Sequence, residues 1–126
     1  LEKAIYEFAE RISLSSTLKI NCDIHLLNER LNSTLESIIY RLIQEMTTNI
    51  IKHAKATNVT LQLIEHDNEL TVLVEDDGVG FDTEQVGENG IGLQNLKTRV
   101  AFLKGAIHFD SSIGKGTTIT IDVPLV

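Results

Sequence analysis

The chain is poor in cysteine, proline, basic residues and long apolar runs, and each scarcity removes a class of protein. The single Cys22 can form no internal disulfide and has no Cys-x-x-Cys partner for zinc, so it reads as a buried, reduced thiol. No apolar stretch approaches the ~20 residues that span a bilayer, and the first residues carry no signal-peptide pattern. One proline, eight glycines, 42% hydrophobic and 23% charged residues, and a mean hydropathy of +0.03 describe a folded globule rather than a disordered segment. Eleven Lys and Arg against eighteen Asp and Glu leave a net charge of -7, and without a basic stripe no nucleic-acid partner is expected. A protein this acidic that binds a polyanion needs a metal cation, backbone N–H groups and a few well-placed lysines. The 126 residues suffice for one core and one domain, 1–126. The chain starts at Leu1 rather than Met, so it is expected to be cut from something longer, and a membrane anchor elsewhere stays open.

What is present is periodicity. Residues 1–12 read as a helix with Ile5, Phe8, Ala9 and Ile12 at 3-4 spacing, broken at 13–16, before Leu18, Ile20, Cys22 and Ile24 alternate as a half-buried strand. Ser33 or Thr34 is the expected N-cap of a long helix whose apolar stripe runs from Leu35 through Leu42 and Met46 to Ile50, stopping near 54–56. Val59, Leu61 and Leu63, an Asp67-Asn68 turn, then Leu70, Val72 and Val74 predict a hairpin. Residues 91–104 read as a helix with Gly105 as its stop, and 107–109 and 119–123 as the last strands. The mixture predicts a two-layer α/β sandwich, one sheet covered by helices on one face.

Four runs carry chemistry. On the long helix, at about 100° per residue, Glu45, Asn49 and Lys52 fall within roughly 60° of one another, with His53 about 40° beyond Asn49. Asn49 lies inside the apolar stripe, where an amide must find partners or cost about 1–3 kcal/mol. Glu45, one turn earlier, offers oxygen to a hard cation such as Mg²⁺, which takes few protein ligands. Taken alone, the helix is explained better by a solvated Glu45 and Lys52 beside a satisfied Asn49 and His53. After a strand, Asp76-Asp77-Gly78-Val79-Gly80-Phe81 places a carboxylate before two glycines, able to accept a hydrogen bond from an amino group held against them. A calcium loop does not fit there, because the alternating acidic positions are missing. Gly90-Ile91-Gly92-Leu93 opens a helix whose first N–H groups form an anion site, although the dinucleotide fingerprint is incomplete. Gly114-Lys115-Gly116-Thr117 is no phosphate-binding loop of the Walker type, since a strand follows where a helix is required.

In this order, the four runs resemble the catalytic ATP-binding domain of bacterial sensor histidine kinases, within the gyrase, heat-shock chaperone, histidine kinase and mismatch-repair ATPase superfamily. The helix is similar to that family's N box, 76–81 to its G1 box, 90–93 to its G2 box and 114–117 to its last glycine-rich turn. The run 92–100 and the ending 118–125 look most like the subfamily paired with helix-turn-helix response regulators. The resemblance implies a Bergerat-type fold, with a mixed sheet of about five strands covered on one face by about three helices. It also implies ATP and Mg²⁺ as ligands. Asp76 would accept the adenine amino group, with Gly78 and Gly80 letting the purine lie close and Thr117 supporting it. Asn49 would ligate Mg²⁺, and Glu45 would hold a metal-bound or attacking water or act as base. Lys52 would reach the phosphates, His53 the ribose or phosphates, and Gly90, Gly92 and Leu93 would open the phosphate-facing helix behind a short lid at 82–89. The family's phenylalanine-containing box is absent, as is usual in that subfamily.

The acceptor histidine is missing too, because His25, His53, His66 and His108 all lie in this domain. Residues 1–12 would be the tail of a linker helix from a separate dimerisation and phosphoacceptor domain. The implied function is transfer of the γ-phosphoryl group of ATP to a histidine on that domain, in a cytoplasmic phosphorelay with a cognate response regulator. This chain would be monomeric and the parent a homodimer. Two alternatives stay open: an anti-sigma-factor-type serine kinase and a non-catalytic nucleotide-dependent interaction module.

Overall fold

The computed structural model describes residues 1–27, 31–80 and 93–125, apart from the side chains of His53 and Leu93. Among the described residues, three α-helices, α1 (Glu2–Ser15), α2 (Ser33–Asn49) and α3 (Leu93–Phe102), join five strands: β1 (Lys19–His25), β2 (Asn58–His66), β3 (Glu69–Asp76), β4 (Ala106–Ser112) and β5 (Gly116–Pro124). They form one sheet in the order β1-β2-β3-β5-β4, with β1 and β2 parallel and every other pair antiparallel. The parallel pair requires a crossover, and α2 supplies it.

Alternation sets the two faces. Val59, Leu61, Leu63, Leu70, Val72, Val74, Ile119, Ile121 and Val123 are buried under the helices, while their neighbours Thr60, Thr71, Glu75, Thr118 and Asp122 form a polar open face. Ile5 and Phe8 from α1, Ile39, Leu42, Ile43 and Met46 from α2, and Leu96 and Val100 from α3 close the core. Truncating any of the fully buried Leu or Ile side chains to Ala should cost about 2–5 kcal/mol. Cys22 sits on the helix side of β1, and burial pushes its thiol pKa up, which keeps it protonated and unreactive. Among the described residues no helix is long and apolar enough to cross a membrane.

Several boundaries differ from expectation. The first helix continues through Ser15, and Ser16 ends it by donating its hydroxyl to Ile12 O (2.8 Å) while accepting from Leu18 N (3.2 Å). The N-cap of α2 is Asn32, not Ser33 or Thr34: its Oδ1 accepts from Thr34 N (2.9 Å) and Leu35 N (3.3 Å), satisfying two otherwise orphaned donors. Beyond Asn49 the helix widens into a π-helical turn, Ile50–Ala54, closed by Lys55 in the left-handed region (φ 51°). At the end of α3 the left-handed residue is Lys104 (φ 59°) rather than Gly105. Lys104 N donates to Ala101 O and Gly105 N to Val100 O, the paired bonds of a Schellman cap. Gly105 is needed for another reason: a Cβ there would lie 2.6 Å from the Asp122 carbonyl oxygen. The Asp67-Asn68 hairpin turn is as expected, with both residues at positive φ (48° and 60°).

Candidate functional site

Two structures built by different means border the site. The first is a side-chain cleft of about 320 Å³ between α2 and α3, lined by Arg41, Gln44, Glu45, Asn49, Asn95 and Arg99. Glu45 and Asn49 share it because they stand one turn apart on α2, and Asn95 and Arg99 because they stand one turn apart on α3. Asn49 is half-buried, at the edge of the apolar stripe rather than inside it. Glu45 Oε1 is ion-paired with Arg99 Nη1, while Glu45 Oε2 is buried with no hydrogen-bond partner among the described residues. A half-buried amide one turn from a carboxylate suits a hydrated Mg²⁺, which takes few protein oxygens and would meet the Arg99-paired carboxylate through its waters. Lys52 lies on the π-helical turn and is exposed. The widened turn moves Lys52 off the bearing that ideal α-geometry assigns it, and the side chain of His53 is outside the described set.

The second structure is the end of β3, held together by backbone. Asp76 is 5% exposed and pairs in register with Thr117 of β5. Its Oδ1 accepts from Gly78 N at 2.8 Å. Burial is the largest influence on its carboxyl and pushes the pKa up, helped by the charges of Asp77 and Glu75 and opposed by the Gly78 and Thr117 amides. No ion pair to Asp76 occurs among the described residues. Its neighbour Asp77 is occupied differently: it accepts from Thr57 N (2.8 Å), Asn58 N (2.9 Å) and Asn58 Nδ2 (3.0 Å), and these donors hold its pKa below the usual carboxylate range.

The glycines are needed for assembly. A Cβ on Gly78 would meet the Ala54 carbonyl oxygen at 2.2 Å, and one on Gly116 (φ 81°) would meet the Asp76 carbonyl oxygen at 2.1 Å. Val79 N donates to Ala54 O at 2.7 Å, and Gly114 N to Val79 O at 2.6 Å. The turn after β3 is thereby clamped between the π-helical end of α2 and the β4–β5 turn. The space vacated by the missing side chains of Gly78 and Gly80 is taken up by protein backbone, Ala54 for the first and Ser112 for the second. Thr117 is buried, and its hydroxyl is hydrogen-bonded with that of Ser111 at 2.8 Å.

Electrostatics divide the labour. A recess of about 440 Å³ bordered by Glu75, Asp77 and Asp110 lies on the open face of the sheet, opposite the side on which the Asp76 carboxylate is buried, and Lys115 is the single cation among the described residues that line it. Those three carboxylates would repel a triphosphate, whereas the α2–α3 cleft on the helix side presents Arg41 and Arg99. Phosphate chemistry therefore suits the helix side of the sheet rather than its open face. Arg99 and Ser111 escaped the sequence reading. The four-residue step from Asn95 to Arg99 could have marked a polar face on α3, and the register of Ser111 against Thr117 follows from the β4–β5 turn. Gly90, Gly92 and the expected lid at 82–89 lie outside the described residues, as does the side chain of Leu93.

Residues 34–126 match the family described as Histidine kinase-, DNA gyrase B-, and HSP90-like ATPase, and the chain belongs to that family. Its relatives bear kinase names. It is 35% identical over 127 residues to Sensor histidine kinase ComP of Bacillus subtilis, covering 99% of this chain and 16% of that protein. It is 38% identical over 97 residues to Signal transduction histidine-protein kinase/phosphatase DegS of Brevibacillus brevis, covering 77% and 25%. The chain thus spans a quarter or less of these curated relatives. The histidine kinase domain of the Erythrobacter litoralis EL346 blue-light activated histidine kinase superposes with a TM-score of 0.79 at 25% identity, over 98% of this chain and 58% of that one. The Acinetobacter baumannii histidine kinase AdeS, at 20% identity and a TM-score of 0.76 over 98% and 62%, shares the fold.

Proposed function

We propose that this chain is the catalytic domain of a sensor histidine kinase, binding Mg-ATP and delivering its γ-phosphoryl group to a histidine on a separate dimerisation domain. The observation that carries the reading is Asp76: a buried carboxylate with no ion pair among the described residues, at a strand end built around it by backbone clamps. An uncompensated buried charge destabilises a fold, and it is understandable where a ligand supplies the missing donor. The exocyclic amino group of adenine is such a donor. Asn49 would hold Mg²⁺ together with water, and the ion would neutralise phosphate charge when bound. Glu45 accepts the hydrogen bond, or the proton, of the attacking imidazole or of a water beside it. In the transfer, an imidazole nitrogen forms a bond to the γ-phosphorus as the bond to the β-bridging oxygen breaks, and ADP leaves. Orientation and charge neutralisation supply most of the rate in such reactions.

The relatives' names favour a histidine acceptor over a serine on a separate protein. The phosphorylated domain would pass its group to a response regulator, in the cytoplasm. Calorimetric titration of Mg-ATP tests the pocket. Binding should vanish in Asp76→Ala and lose its Mg²⁺ dependence in Asn49→Ala. A wild-type chain that binds no Mg-ATP, or rapid radiolabelling of the isolated chain, would refute the reading.

A further inference from the structure

The ion pair between Glu45 and Arg99 joins the helix carrying the acid–base group to the helix on the far wall of the cleft. Both side chains are about one-third exposed (31% and 34%), so the pair is neither dissolved in solvent nor sealed from the cleft. A glutamate on a helix surface has three free torsions, and ordering a side chain of that length costs up to about 2 kcal/mol. Here one carboxylate oxygen is anchored to a guanidinium, and the other is buried without a protein partner among the described residues. This is the arrangement an oriented acceptor requires, with one oxygen spent on holding position and one kept for the reacting group. A carboxylate whose charge is already matched by Arg99 is also a poorer direct ligand for a cation, which leaves the metal to Asn49 and water.

We propose that Arg99 is a positioning residue for phosphoryl transfer, holding Glu45 so that its second oxygen accepts a hydrogen bond from the attacking group or its water. The inference rests on the kinase reading above. Arg99 does not touch the reacting atoms. Its guanidinium acts through Glu45, and a Lys in its place would keep the charge but present it as a point charge on a more flexible stem.

The test uses the parent protein carrying this domain, with phosphohistidine formation from radiolabelled ATP as one readout and calorimetric ADP affinity as the other. Arg99→Met should lower the rate at saturating Mg-ATP about 10- to 100-fold, as loss of an orienting contact does. ADP affinity should stay within about twofold, and Arg99→Lys should recover part of the rate. Glu45→Gln combined with Arg99→Met should be no slower than Glu45→Gln alone, because both changes remove the same function. Losses that multiply in the double variant would overturn the proposal. So would an unchanged Arg99→Met rate, or a raised KM for ATP with kcat intact, which would make Arg99 a phosphate-binding group. If Arg99→Met melts early, Arg99→Lys decides: a folded Lys variant with the wild-type rate and a Glu45→Gln variant that is slow would sever the two residues. A wild-type protein that binds Mg-ATP and transfers its phosphoryl group while Arg99→Met is silent refutes this inference alone. One that binds no Mg-ATP refutes the functional reading, and this inference with it.

Discussion

The strand end around Asp76 and the helix face around Glu45, proposed to serve one site, are made of different material. The first is backbone pressed on backbone: Gly78 against Ala54, Gly116 against Asp76, and Val79 hydrogen-bonded to Ala54 and Gly114. The second is side chains on two helices, joined across a cleft by one ion pair. A site assembled from close-packed backbone cannot be altered without disturbing the fold, whereas one assembled from half-exposed side chains can be. Substitutions at the strand end should therefore register in stability, and those on the helix face should change metal binding or chemistry with little effect on stability.

The largest effect expected is from Gly116→Ala. Its φ of 81° is strained for any residue with a Cβ, at about 1–3 kcal/mol, and the added methyl would meet the Asp76 carbonyl at 2.1 Å, so the clash adds to that figure. Thermal unfolding should show a Tm lower by roughly 10 °C or more, with nucleotide binding lost in parallel. A stable Gly116→Ala protein that binds Mg-ATP normally would mean the backbone clamp is unnecessary.

Asp76→Asn should separate the two properties. The amide keeps an acceptor for Gly78 N but presents a donor where the adenine amino group needs an acceptor. Loss of a charged hydrogen bond, about 1.5–3 kcal/mol, weakens Mg-ATP binding roughly 10- to 100-fold. Stability moves the other way. The folded pKa of Asp76 is raised, so its contribution is full below the unfolded value and is lost as pH climbs through the folded one. At neutral pH the Asn variant should melt a few degrees higher than wild type, and its advantage should fade as the buffer is acidified through that raised pKa. A lower Tm at neutral pH would show that the carboxylate is compensated in the fold.

On the helix face, Asn49→Ala should remove the Mg²⁺ dependence of ATP binding while leaving the metal-free affinity for ADP within about threefold and Tm within roughly 2 °C. A large fall in Tm would contradict the comparison, because Asn49 would then be part of the structure's support.

Strand alternation, the hairpin with its Asp67-Asn68 turn, and the order of Asp76 and its glycines were legible because they depend on local pattern. The use to which the glycines are put was not, since the Ala54 and Ser112 carbonyls that crowd them come from distant segments. Asn32 displaced Ser33 as N-cap in a polar run where several residues can cap, and Lys104 took the left-handed position because Gly105 was required flat against Asp122. A π-helical turn leaves no mark in a 3.6-residue pattern, so the bearing of Lys52 could not be read. The pairing of Arg99 with Glu45 depends on how two helices cross, and charge pattern along one chain does not encode that.

The smallest effect, and the sharpest test of the contrast, lies in the aspartate next to Asp76. Asp77 is exposed, yet three donors from Thr57 and Asn58 converge on it and tie the start of β2 to the turn after β3. Its pKa is lowered on folding, first by the Asn58 amide, so its contribution is present above the unfolded value and lost as pH falls through the folded one. Asp77→Asn keeps acceptors for the two backbone N–H groups but sets amide against amide at Asn58 Nδ2. Tm should fall on the order of a degree or two at neutral pH, and the deficit should shrink on acidification, as exposed interactions are weak. The neighbouring aspartates would then give opposite Tm shifts when replaced by Asn at neutral pH, with both differences disappearing in acid. The two are also coupled, because the charge of Asp77 helps raise the Asp76 pKa. In Asp77→Asn the Asp76 titration followed by NMR should move down, toward the ordinary carboxylate range. Mg-ATP affinity should change by less than about threefold, because Asp77 secures the turn and base recognition is proposed for Asp76 alone. A binding loss as large as that of Asp76→Asn would mean that the two carboxylates act as one site.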